Sequence, residues 1–95
     1  MSNPKALLME KRIGAALVLV NDKRSVPQLN SLLSAHSDII IARQGLPLSD
    51  RKVSVISLVL EGSTQQLNAL TGPIGKLEGI TVKAVMMPVK SSAEI

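Results

Sequence analysis

Lys23, Arg24, Arg43, Arg51, Lys52 and Lys76 are the residues of this chain best suited to do chemistry, and that chemistry is anion binding. Their acidic neighbours are Asp22, Asp50 and Glu78, so the group as a whole is basic. A carboxylate or phosphate is its natural occupant. The candidate ligand-binding residues are Asn21, Asp22, Arg24, Arg43 and Gly45. The competing reading is that these charges only keep loops wet and strand edges unpaired.

Other groups are poorly equipped. His36 is the single histidine and there is no cysteine, so thiol catalysis and cysteine-held zinc or iron–sulfur centres are excluded. No metal site and no cofactor are expected. The serines have only His36 as a relay partner, and no pair of carboxylates stands out, so an enzyme is not expected. Gly72-Pro73-Ile74-Gly75-Lys76 resembles a phosphate loop only superficially, because it follows a helix and lacks the required spacing. His36, at the end of an apolar helix face, reads as a packed or capping residue.

The elements that must position these groups announce themselves by repetition. Ser25-Val26-Pro27-Gln28-Leu29-Asn30-Ser31-Leu32 recurs as Ser63-Thr64-Gln65-Gln66-Leu67-Asn68-Ala69-Leu70. Each copy follows an apolar run, and each opens with the Ser-x-x-Gln of a helix-capping box. Val26, Leu29, Leu32, Leu33 and His36 fall on one face of the first helix, and Leu67, Leu70, Ile74 and Leu77 on one face of the second. Gly72-Pro73 should kink or end that second helix.

Strands are expected over Arg12–Val20, Asp38–Arg43, Lys52–Glu61 and Ile80–Met87. Gln44–Asp50 reads as a connecting loop rich in Gly, Pro and Asp. The order is βαββαβ, a ferredoxin-like α+β fold. Right-handed crossovers and a short second-to-third hairpin give an antiparallel sheet ordered 4-1-3-2. The first and third strands are apolar on both alternations, as central strands are. Both helices then cover one face and leave the other apolar and bare. A homodimer or tetramer is expected on that face. The competing cover is an N-terminal extension folding back through Leu7, Leu8 and Met9.

At 95 residues, 45% hydrophobic and 19% charged, the chain supports one globular domain over residues 11–88. Residues 1–10 read as an extension and 89–95 as a flexible tail. No apolar run approaches the roughly 20 residues that span a bilayer, so a cytoplasmic protein without membrane association is the expectation. Phe, Tyr and Trp are absent, which removes the platforms on which single-stranded nucleic acids stack. The two helices are separated by two strands, so there is no helix-turn-helix, and direct nucleic-acid binding is not expected.

Several segments together resemble a known family. Met9-Glu10-Lys11-Arg12-Ile13-Gly14, Ser37–Ile40 with Arg43 and Gly45-Leu46-Pro47, Ser54–Val59, and above all Ala69–Lys83 are similar to the iron-only hydrogenase system regulators. The similarity runs from about Met9 to Met87. It implies an ACT-like fold, similar to the regulatory domain of nickel-responsive repressors, and a role as a transcriptional regulator beside a hydrogenase-system protein partner. Those repressors hold nickel through several histidines and a cysteine, which this chain lacks. Two functions follow as expectations. One is a regulatory oligomer that binds a small anionic metabolite. The other is a non-catalytic assembly subunit that uses the apolar sheet face and no ligand.

Overall fold

Strand β1, Arg12–Val20, is the axis on which the fold is built. Gly14, Ala16, Val18 and Val20 are buried on one side of it, while Ala15 and Leu17 are exposed on the other. Strand β3, Val53–Gly62, repeats the alternation: Ile56, Leu58, Leu60 and Gly62 are buried, Ser57 and Val59 exposed. Side chains on a strand point alternately to its two faces, so each central strand serves a core and an open face at once. The protein is described by a computed structural model covering residues 11–88. The extension 1–10, with its proposed cover by Leu7, Leu8 and Met9, and the tail 89–95 lie outside the described residues.

Helix α1, Val26–Ala35, follows β1, then strand β2, Ile40–Leu48, leads into β3. Helix α2, Thr64–Gly75, and strand β4, Ile80–Pro88, complete the chain. The sheet is antiparallel throughout and ordered β2-β3-β1-β4. That is the expected 4-1-3-2 order read from the other edge. The fold is the α+β, ferredoxin-like and ACT-like arrangement.

Leu29 and Leu33 of α1 and Leu67, Leu70 and Ile74 of α2 close one core with Val18, Leu58 and Leu60. Burial of each such side chain contributes about 1.5–3 kcal/mol. Close approach of α2 to β1 requires a glycine. A Cβ on Gly14 would lie 2.6 Å from Cδ2 of Leu67.

The two copies of the Ser-x-x-Gln motif behave differently. Ser63 caps α2 as expected: its hydroxyl accepts from the Gln66 backbone N–H at 3.1 Å, and Gln66 Oε1 accepts from the Ser63 N–H at 2.8 Å. Ser25 makes no cap bond to α1. A 3-10 turn over Lys23–Ser25 starts the coil early, with Asp22 as its cap, and leaves the Ser25 hydroxyl for another partner.

Two further expectations are corrected. The second strand is not Asp38–Arg43. Ser37–Ile39 forms a 3-10 turn, and β2 continues through Gly45, Leu46 and Pro47 to Leu48. An edge strand tolerates Pro and Gly because one side of its backbone faces no neighbour. The connecting loop therefore shrinks to residues 49–52. Pro73 does not end α2, which runs on to Gly75.

Candidate ligand-binding cleft

The end of the sheet where β1 finishes also carries the β2–β3 connection and the turn from α2 into β4. The loop after β1 is tied firmly there. The Asn21 N–H donates to the Gly79 carbonyl at 2.8 Å, and the Ser25 hydroxyl donates to the Glu78 carbonyl at 2.7 Å. Asp22 accepts from the Arg24 backbone N–H at 2.9 Å and from its Nε at 2.9 and 3.1 Å, with Nη2 adding a further bond. These bonds, the side-chain ones first, hold the Asp22 carboxyl down to about 2 from the usual 3.8 and push the Arg24 guanidinium up. The charge of Arg24 is therefore neutralised by its own neighbour.

Arg43 stands elsewhere. It lies well inside β2, opposite Leu58, on the side of the sheet that carries the helices. That side is decided by a β-bulge: Ile40 pairs with Leu60 and Ala42 with Val59, leaving Ile41 as the extra residue. Without it, simple alternation would have turned Arg43 to the face directed away from the helices. Its Nη2 instead donates to Oδ1 of Asn30 on α1, 3.4 Å away.

Between α1 and the β2 side of the sheet lies a cleft of about 330 Å³. Its floor is apolar, made by Val20, Val26, Leu29 and Ile56, and its rim is polar, made by Lys23, Asn30, Arg43 and Ser54. Among the described residues, none that lines it is acidic. Two cations above an apolar floor can hold a carboxylate or phosphate whose remainder is hydrocarbon. Gly45 sits opposite Ile56, and a Cβ there would meet nothing within 4 Å, so the backbone of β2 is open beside the cleft.

The structure thus divides the sequence-derived residues. Asn21, Asp22 and Arg24 form the tied loop, Arg43 lines the cleft, and Gly45 lies next to it. Asn30 and Ser54 are cleft residues that sequence reasoning missed. Asn30 does belong to the repeated octad, and its polar side chain beside a half-buried apolar stripe was a weak signal. His36 caps the end of α1, with its Nδ1 2.9 Å from the Leu32 carbonyl oxygen. Among the described residues no group of three or more His, Cys, Asp or Glu is placed to hold a metal ion. Nor is any helix there long and apolar enough to cross a membrane.

Residues 12–84 match the model of the TM1266-like family, described as "Iron-only hydrogenase system regulator, putative". The chain belongs to this family. It is similar to the uncharacterized protein TM1266 from Thermotoga maritima at 33% identity, with a TM-score of 0.77. That similarity covers 85% of this chain and 100% of the other. The divalent ion tolerance protein CutA1 from Ehrlichia chaffeensis is 9% identical over 90% of each chain, with a TM-score of 0.44. No curated protein matches the chain. Within the TM1266-like family, the matched span includes every residue of the cleft.

Proposed function

We propose that this TM1266-like protein is a regulatory, homo-oligomeric module of an iron-only hydrogenase system, switched by a small organic anion. The observation that carries the reading is the cleft beside α1, where Lys23 and Arg43 stand over an apolar floor with no acidic residue among the described residues of its lining. The family description supports a regulator. Helices α1 and α2 are separated by β2 and β3, so the signal passes to a protein partner of the hydrogenase system and not directly to DNA.

Native mass spectrometry on freshly purified, untagged protein tests this directly. The expected result is an oligomer with a stoichiometric extra mass that is lost in Lys23→Ala/Arg43→Ala. A clean oligomer, unresponsive in thermal denaturation to any of a panel of aliphatic carboxylates and phosphate esters, would defeat the ligand reading. It would favour the second one, a non-catalytic assembly subunit. That alternative draws its support from the exposed apolar side chains of the sheet, Leu17, Leu46, Val59, Val85 and Met87.

A further inference from the structure

The sheet face turned away from the helices alternates large and small side chains in two directions. Across the central strands, Leu17 is paired with Ser57 and Ala15 with Val59. Along each strand the order inverts, so two large side chains and two small ones form a checkerboard at the centre of the face. Leu17 is 55% and Val59 38% exposed, large values for apolar residues in central strands. Over Ala15 and Ser57 the surface sinks into a depression of about 250 Å³, walled by Leu17, Lys83 and Val85. The face therefore carries both knobs and a hollow.

We infer that this face pairs with the same face of a second copy of the chain, about a two-fold axis that runs along the strands between β1 and β3. The inference rests on the oligomeric part of the function proposed above and names its interface. Such an axis lays each residue over the copy of its own cross-strand neighbour. Leu17 then meets Ser57 of the partner subunit, and Val59 meets Ala15 of the partner subunit. Outward from the centre, Lys83 stands level with Leu17, Ser57 and Gln44, so its ammonium meets the amide of Gln44 of the partner subunit. Val85, level with Ala15, Val59 and Ala42, lies over Ala42 of the partner subunit.

A two-fold axis across the strands would also match large with small at the centre. It would, however, set Lys83 against Val85 of the partner subunit, or against its own copy. Desolvating an ammonium on an apolar or like-charged surface is unfavourable, which favours the axis along the strands. That axis lays Glu61 over Ile13 of the partner subunit only in the end row of the face, away from the centre. Packed sheets cross at about 30°, and the register is therefore tightest for the four residues nearest the axis.

The area suffices. Four strands about 4.8 Å apart, each nine or so residues long at about 3.3 Å per residue, present roughly 600 Å² in projection. Side-chain relief raises the accessible area toward the ~800 Å² per partner of a standard stable interface.

Exchanging knob and hollow tests the pairing. Sedimentation of the full chain and its variants reads the association constant, and circular dichroism confirms that each variant is folded. Leu17→Ala and Ser57→Leu should each weaken association roughly tenfold or more, by an emptied contact and an overfilled one. The double variant Leu17→Ala/Ser57→Leu should recover most of the loss, because the large and the small side chain have then traded places across the axis. Failure of the double variant to recover overturns the register. An oligomer indifferent to all three variants overturns this face and leaves oligomerisation standing. A monomeric wild-type protein overturns both. A monomer that associates only after residues 1–10 are removed assigns the face to that extension and overturns the pairing. Anion binding at the Lys23–Arg43 cleft is read separately and does not depend on these outcomes.

Discussion

The hydroxyl of Ser25 donates to the carbonyl of Glu78, 2.7 Å away and separated by 53 residues of chain. The bond joins the start of α1 to the turn that feeds β4, and Ser25 is buried in making it. Ser25→Ala should cost about 1 kcal/mol, since a part-buried long-range hydrogen bond is lost. Gln28→Ala, in the position of an unused capping box, should stay within about 0.5 kcal/mol of wild type. Ser63→Ala should cost about 1 kcal/mol by uncapping α2. Urea unfolding midpoints rank the three, and equal effects of Gln28→Ala and Gln66→Ala would refute the asymmetry between the two motifs.

Gly79 holds the other side of the same junction. Its φ of 75° lies in the left-handed region, and a Cβ placed on it would collide with Cβ of Asp22. Left-handed backbone costs an L-residue about 1–2 kcal/mol before any clash. Gly79→Ala should therefore destabilise the fold by about 2 kcal/mol or more, measured by thermal or urea denaturation.

The Asp22–Arg24 pair predicts a pH dependence of definite sign. The folded pKa of Asp22 is about 2, below its usual 3.8. A depressed carboxyl contributes stability that is fully present above the unfolded pKa and is lost as pH falls through the folded one. The stability difference between wild type and Asp22→Asn should be constant near neutrality, shrink between about pH 4 and pH 2, and vanish below. Because the pair is exposed, added salt should reduce the difference at every pH. A difference that grows on acidification would contradict the assignment.

Arginines 24 and 43 should differ sharply as anion-binding groups. The guanidinium of Arg24 is engaged by Asp22, whereas that of Arg43 lines the cleft with, among the described residues, Asn30 as its side-chain hydrogen-bond partner. A bound ligand at about 100 times its Kd stabilises a protein by about 2.7 kcal/mol. Arg43→Ala and Lys23→Ala should each remove most of such protection by an aliphatic carboxylate, and Arg24→Ala should leave it nearly intact. Thermal shift against ligand concentration distinguishes them.

Much of the fold was legible in the residue pattern. The bounds of β1 and the central place of β1 and β3 follow from runs that are apolar on both alternations. The two helices follow from Leu29, Leu33, Leu67, Leu70 and Ile74 recurring at helical spacing. The order of the sheet follows from the handedness of the two crossovers. The extent of β2 was hidden, because an edge strand accepts Gly45 and Pro47, which in a central strand would break the ladder.

The candidate site was legible only in part. The sequence by itself determined which side chains form the core, since that depends on local period and connection order. Only the tertiary structure decided which cations are free to meet a ligand. One extra residue at Ile41 turns Arg43 toward α1, and Asp22 claims Arg24. Ser25 passes over its own helix for Glu78, because hydrogen bonds are settled by what lies within about 3 Å in space, however far along the chain it comes from.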